Sequence, residues 1–238
     1  MQDLKQPSAP PKACLFDLDG LLLDTEPLHA RAWQQAAQHF GTELATEQLL
    51  QLQGRRRHDN ANLVCSWIEQ PITPDQLLAV RQPIAAKLLP AAKAMEGAES
   101  LVRSAHRFGI ATALVTSSDQ KSMQRKIGNH PWVNRLQLMV CGDDPRLRAG
   151  KPAPDPFLLA AQSLGVNPEE CWAFEDSEAG CRSALTAGCL VWRLLRDHEV
   201  GGQSVAKETL SREPGRLIAI NRLSEAQHCL ESLISTGD

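Results

Sequence analysis

Residues 13–29 read ACLFDLDGLLLDTEPLH. An apolar run suited to a buried strand, Cys14-Leu15-Phe16, leads directly into two aspartates one residue apart, Asp17 and Asp19. A second apolar triplet follows, and then Asp24 and Glu26. Carboxylates at the end of the most strand-like segment of a chain need a reason, and the rest of the sequence supplies one.

Short apolar runs alternate with helical patterns, which predicts an α/β fold with a Rossmann-like, mostly parallel sheet. Strands are expected over Ala13–Leu18, Ile110–Val115, Leu136–Cys141, Cys171–Glu175 and Leu190–Leu194. The helices between them carry readable punctuation. Gly97–Phe108 puts Leu101, Val102, Ala105 and Phe108 on one face and stops at Gly109. Ser118 or Asp119 can cap the next helix, which runs toward Gly128. Asp155-Pro156 has the chemistry of a helix start, and Ser177 can cap a helix that Gly188 ends.

One interval breaks the alternation. From about Pro27 to Met95 no strand is expected, only helices over Leu28–Phe40, Thr46–Gln53 and Asp59–Glu69, and another after the capping-box spacing Thr73-Pro74-Asp75-Gln76. This predicts an all-helical cap over residues 27–95, inserted into a core made of 13–26 and 96–238. Such a block reads as a lobe over the carboxyl edge of the sheet, where open α/β sheets bind ligands. Residues 1–12, with three prolines, read as a disordered lead-in. Arg196–Gly215 reads as loop, and Arg222–Leu233 as a final helix.

Composition narrows the function classes. The chain has 238 residues, 42% of them hydrophobic and 22% charged, and a net charge of −3, so one sizeable core is expected rather than disorder. That charge gives no electrostatic case for nucleic acid or an anionic membrane as partner. No apolar run approaches the ~20 residues that span a bilayer, and the N-terminus has no signal-type stretch. The seven cysteines form no CxxC and no cluster with histidine, the pattern of reduced cytoplasmic thiols in a core. A cytoplasmic monomer or weak homodimer is the expectation.

Four expected strands end in polar groups that converge on one edge. They supply Asp17 and Asp19, then Thr116-Ser117-Ser118, then Lys151 in Gly150-Lys151-Pro152, then Glu175-Asp176-Ser177. Asp17, Asp19 and Asp176 offer hard oxygen ligands suited to Mg²⁺. Thr116, Ser117 and Lys151 suit a phosphoryl group with charge spread over several oxygens. One aspartate can serve as a nucleophile that forms an aspartyl-phosphate, and the other can handle the proton. Each piece alone has a plain structural alternative, such as a turn cap, a helix cap or an exposed lysine. Four in a consistent order point to a site.

These residues resemble the haloacid dehalogenase-like hydrolase superfamily over about Ala13–Leu195. FDLDG (16–20), Thr116 in LVTSS, Lys151 in GKPAPDPF and FEDSEAG (174–180) match its four ordered motifs. DTEPLH (24–29) resembles the helical-cap branch, home of phosphoglycolate phosphatase, sugar-phosphate phosphatases and β-phosphoglucomutase. The resemblance implies that Asp17 is the nucleophile and Asp19 the general acid/base, whose backbone carbonyl also reaches Mg²⁺. Thr116 and Lys151 would hold the transferring phosphoryl, with Gly20 and Ser117 beside the substrate. Asp17 and Asp176 would ligate the metal, and Glu175 would be a ligand or stand just behind one. A dehalogenase is disfavoured, because that branch lacks the second aspartate of the first motif.

Substrate choice falls to the cap. Gly54 and Arg57, in Gln53-Gly54-Arg55-Arg56-Arg57-His58, match the place where β-phosphoglucomutase binds the distal phosphate of its substrate, and a solvated helix start is the alternative. His29 also resembles the mutase, yet Glu-Pro-Leu-His is common among phosphatases of the branch. Asp119-Gln120 stands where the mutase has lysine and asparagine, and an acid near a second phosphate favours a hydrolase. The expected activity is therefore a Mg²⁺-dependent phosphatase acting on a small phosphorylated metabolite such as a sugar phosphate. A phosphosugar mutase and a non-catalytic binding protein are the alternatives. Cap closure during turnover is expected, with hinges near Asp24–Pro27 and Met95–Gly97.

Overall fold

The computed structural model describes residues 7–52, 57–195 and 216–235. In chain order the strands are β1 Ala13–Phe16, β2 Leu23–Asp24, β3 Lys93–Ala94, β4 Ala111–Val115, β5 Leu138–Val140, β6 Cys171–Glu175, β7 Leu190–Leu194 and β8 Leu217–Ile220. The helices are α1 Glu26–His39, α2 Thr46–Gln51, α3 Arg57–Cys65, α4 Pro74–Leu88, α5 Ala98–Arg107, α6 Gln120–Ile127, α7 Asp155–Ser163, α8 Glu178–Ala187 and α9 Leu223–Ser235. The chain forms two compact units. One comprises Met1–Leu23, Ala94–Met123 and His130–Asp238; the other comprises Asp24–Lys93 and Gln124–Asn129.

The first unit is built on a six-stranded sheet ordered β5-β4-β1-β6-β7-β8, parallel at every pairing. A parallel sheet buried on both faces needs near-continuous apolar strands, and β1 is buried at all four positions. Alternation still decides which helices each side chain meets. Leu15, Ala113, Ala173 and Val191 share one core with Phe157, Ala160, Cys181 and Ala184 of α7 and α8. Phe16 stacks on Phe174 at 4.8 Å, and Phe174 on Trp192 at 6.5 Å. α5 buries Leu101, Val102 and Ala105 and is tied to α9 where Ser104 Oγ donates to Glu231 at 2.8 Å. Ser177 caps α8 by accepting from the Gly180 N–H, and left-handed Gly188 ends it.

The second unit is helical. Trp33, Ala36, Ala37, Ala61, Val64, Leu77 and Leu78 form its core. Thr73 opens α4 with a reciprocal capping box, in which Thr73 N–H donates to Gln76 Oε1 at 2.8 Å and Gln76 N–H donates to Thr73 Oγ1 at 3.3 Å.

Several sequence expectations change. β1 stops at Phe16, two residues short of the expected Leu18. β3 is a strand inside the interval read as purely helical; it pairs only with β2, and two residues carry no periodicity. β8 extends the sheet beside β7, and its four residues lie against a stretch read as loop. α7 begins at Asp155 with Pro154 as its N-cap and no side-chain cap bond, one residue earlier than Asp155-Pro156 implied. Gly54 and residues 196–215 lie outside the described residues.

Leu114 lies in β4 with no exposed surface. Leu114→Ala should cost about 2–5 kcal/mol of stability through lost burial and a residual cavity. Urea titration should show a lower midpoint at an unchanged slope.

Candidate active site

The strand order puts β1 between β4 and β6. The chain crosses to β4 on one side and returns to β6 on the other, which makes the carboxyl end of β1 a topological switch point. Register then sets heights. Phe16 lies level with Leu114 and Phe174, so Asp17, Val115-Thr116 and Glu175-Asp176 emerge together. The Asp17 N–H donates to Phe174 O at 3.0 Å, and the Thr116 N–H to Val140 O at 2.9 Å, which carries the pairing one residue past the strands.

Lys151 enters this edge from the loop before α7. Its Nζ donates to Asp17 Oδ1 at 2.6 Å, to Glu175 Oε1 at 2.5 Å and to Val115 O at 2.8 Å. All three donors of the ammonium are thus used. The side chains of Lys151 and Glu175 are 5% and 0% exposed, so this is a buried ion network in which each charge depends on the others. Ser177 Oγ donates to Glu175 Oε2 at 3.1 Å. Both Glu175 oxygens are therefore engaged, whereas Asp17 reaches Lys151 through Oδ1 alone among these bonds.

Asp17, Glu175 and Asp176 bring carboxylate oxygens within 4.8 Å of one another. Hard oxygen donors this close, all buried, fit a small divalent cation. Two glycines make the cluster possible. Gly20 has φ +84, and a Cβ there would collide with Asp176 Oδ2; a Cβ on Gly180 would collide with the Glu175 carboxylate. Gly20, expected beside the substrate, thus has a separate task in making room for Asp176.

Asp19 is half-buried, and its Oδ2 accepts from Ser118 Oγ at 2.9 Å. Thr116 is buried, and its Oγ1 accepts from the Ser118 N–H at 3.1 Å. Thr116, Ser117, Gly150 and Lys151 line a cleft of about 140 Å³ together with Gly142, Leu147 and Pro156.

The candidate residues of the helical unit form a separate group. His29 is half-buried and Arg57 exposed. Arg81 Nη2 lies 3.0 Å from His29 Nδ1, and its guanidinium sits 4.1 Å over the Trp33 ring. Burial and the neighbouring Arg57 lower Arg81 to about 10, with Glu26 opposing the shift. Arg81 has no signal in sequence, because an arginine between Val80 and Gln82 of a helix reads as solvated. Ser118 was legible as one of the converging polar groups and as a possible cap. The cap bond is made by Asp119, whose Oδ1 accepts from the Ser122 N–H at 2.8 Å.

Comparison with known proteins agrees with this geometry. The family pattern of haloacid dehalogenase-like hydrolases matches residues 11–188. The chain belongs to the haloacid dehalogenase-like hydrolases. It is 35% identical over 188 residues to hexitol phosphatase A of Escherichia coli, covering 76% of this chain and 81% of that protein. It superposes on a hydrolase of the family from Deinococcus radiodurans, solved with bound phosphate and sodium, with a TM-score of 0.72, 26% identity, and 94% and 97% of the two chains covered. It shares its fold with β-phosphoglucomutase of Clostridium difficile, with a TM-score of 0.67, 20% identity, and 94% and 99% covered. Among the described residues of this haloacid dehalogenase-like hydrolase, no helix is long and apolar enough to cross a membrane.

The buried charges fix a pH dependence. Burial, foremost, raises the Asp17 carboxyl to about 6 against the pull of Lys151, with Asp176 and Asp19 adding to the rise. Burial likewise raises Glu175 to about 7, against Lys151 and with Asp17 adding. Burial alone would lower the Lys151 ammonium, yet Asp17 and Glu175 hold it above its usual range. A carboxyl raised on folding binds its proton more tightly in the folded state. Its contribution to stability is therefore present at low pH and lost as pH rises through the folded value. In the presence of EDTA, Asp17→Asn should gain stability relative to the unsubstituted protein between about pH 5 and about pH 8. Urea titrations of both proteins at the two ends of that range check this; a constant gap counts against it.

Proposed function

We propose that this protein is a Mg²⁺-dependent phosphatase that hydrolyses a small phosphorylated metabolite, a sugar or polyol phosphate, through an aspartyl-phosphate on Asp17. The observation that carries this reading is the placement of the Lys151 ammonium against one oxygen of a strand-end aspartate, 2.6 Å away, while Lys151 also lines a cleft with Thr116 and Ser117. A nucleophilic carboxylate repels an anionic substrate, and a fixed cation beside it offsets that repulsion.

Asp17 and Asp176 would hold the cation, with the Asp19 carbonyl as a further ligand. Glu175, engaged at both oxygens, would fix Lys151 and stand behind the cation. When bound, Mg²⁺ neutralises charge on the transferring phosphoryl group. Asp17 attacks phosphorus and the bond from phosphorus to the leaving oxygen breaks, while Asp19 gives that oxygen a proton. Asp19 then takes a proton from a water whose oxygen attacks phosphorus. The bond between phosphorus and Asp17 breaks, releasing phosphate and restoring the carboxylate. Thr116 and Lys151 hold the phosphoryl oxygens through both steps.

Two observations favour hydrolysis over phosphoryl migration. A guanidinium can only donate, so His29 Nδ1 accepts from Arg81 and a neutral ring carries its proton on Nε2. Such a ring is a donor to substrate oxygen, not a base for a sugar hydroxyl. Asp119 leaves an acid at the second motif, unfavourable to a second phosphate. His29 and Arg57 would contact the part of the substrate beyond its phosphoryl group. The cysteines among the described residues are free thiols, which supports a cytoplasmic setting.

A panel of hexose phosphates, polyol phosphates, phosphoglycolate and nucleotides, assayed for released phosphate with and without Mg²⁺, tests the reading. Release is expected from a sugar or polyol phosphate, with Mg²⁺ required, and Asp17→Asn should reduce it by at least about 10³-fold. An isomerised sugar phosphate without free phosphate would indicate a mutase. A folded protein inactive on every ester would overturn the reading.

A further inference from the structure

We infer that Ser118 is a positioning residue that holds the Asp19 carboxyl group in one orientation. The inference rests on the reading of Asp19 as the acid/base. Ser118 Oγ donates to Asp19 Oδ2 at 2.9 Å across 99 positions of sequence. Its backbone is held on both sides. The Ser118 N–H donates to Thr116 Oγ1 at 3.1 Å, and its carbonyl accepts from the Gly142 N–H at 2.8 Å. The second contact needs glycine, because a Cβ on Gly142 would run into the Ser117 carbonyl. Ser118 is therefore anchored to β4 through Thr116 and to the end of β5 through Gly142.

Asp119 makes the cap bond of α6 by accepting from the Ser122 N–H, and the Ser118 hydroxyl donates to Asp19. The chemical consequence follows from the two inequivalent oxygens of a carboxyl group. A hydroxyl donates to Oδ2 of an ionised Asp19 and can accept from Oδ2 of a protonated one, so the bond to Ser118 is available in both protonation states. Rotation about Cβ–Cγ would interchange the oxygens, and the bond to Ser118 opposes it. Thr116 joins in from the other side, so the residue that holds the phosphoryl and the residue that moves the proton share one brace.

Leaving groups separate this role from a merely structural one. p-Nitrophenolate leaves as a stable anion and needs little protonation, whereas an alkoxide needs the proton. Ser118→Ala should lower kcat/KM for glycerol phosphate about tenfold or more, and for p-nitrophenyl phosphate less than about threefold. Ser118→Thr, which keeps a hydroxyl, should restore the alkyl ester. An equal loss on both esters, or no loss on either, overturns the inference. Crystal structures give a readout independent of turnover. Asp19 should leave its rotamer or occupy two in Ser118→Ala, and an unmoved carboxylate overturns the inference. If the unsubstituted protein turns over neither ester, the wider ester panel decides the phosphatase reading and the Asp19 rotamer decides the positioning.

Discussion

The Lys151 ammonium, wedged between Asp17 and Glu175, is the contact on which the rest of the site depends. Removing two carboxylates and an ammonium from water costs several kcal/mol for each ion unless geometry and hydrogen bonds compensate. Here the compensation is close to complete, with all three ammonium protons and both Glu175 oxygens partnered. The charge is not balanced. With Asp176 close by, three carboxylates face one ammonium, an excess of two negative charges. Burial displaces Asp17 and Glu175 upward against the pull of Lys151, and the neighbouring carboxylates add to the rise. A divalent cation would cancel the excess, so the ionic arrangement calls for a metal as strongly as the ligand types do.

The sheet explains why these charges can be held so close without local strain. β1 is central and parallel to both neighbours, so Asp17 at the end of β1 and Glu175-Asp176 at the end of β6 arrive at one height. Short-range chemistry has only to remove obstruction, and glycine does that. Gly20 stands against Asp176 and Gly180 against Glu175, which gives a physical reason for glycine within both FDLDG and FEDSEAG. The freedom of a left-handed backbone matters at Gly20; at Gly180 the need is the missing Cβ alone.

Sequence reading did best where a feature is carried by several residues with a period or a fixed partner. The apolar runs of β4, β6 and β7, the Thr73 box and the Ser177 cap are of this kind. So is the meeting of Asp17, Thr116, Lys151 and Asp176, since they follow strands whose carboxyl ends must share an edge in a parallel sheet. Features made by one long-range contact left no trace. β3 has two residues, and β8 owes its existence to the neighbouring edge of β7. Glu175 was legible as acidic and near the metal, yet its service to Lys151 depends on where Nζ arrives. Arg81 looks like any helical arginine until His29 and Trp33 are placed around it.

The same distinction explains why the reaction is easier to read than the substrate. Phosphoryl transfer asks for a nucleophile, a proton carrier, cations and donors, and each demand names a residue type. Recognition of the remaining substrate asks only for complementary shape and a few donors, which many residues can supply. The polar side chains of the helical unit are of that kind. His29 is turned to one tautomer by Arg81, and Arg81 is held in place by the face of Trp33, where a cation is attracted to the ring quadrupole. A hydrogen-bond donor fixed in this way suits oxygen acceptors over apolar groups, a preference set by placement and not by residue type alone.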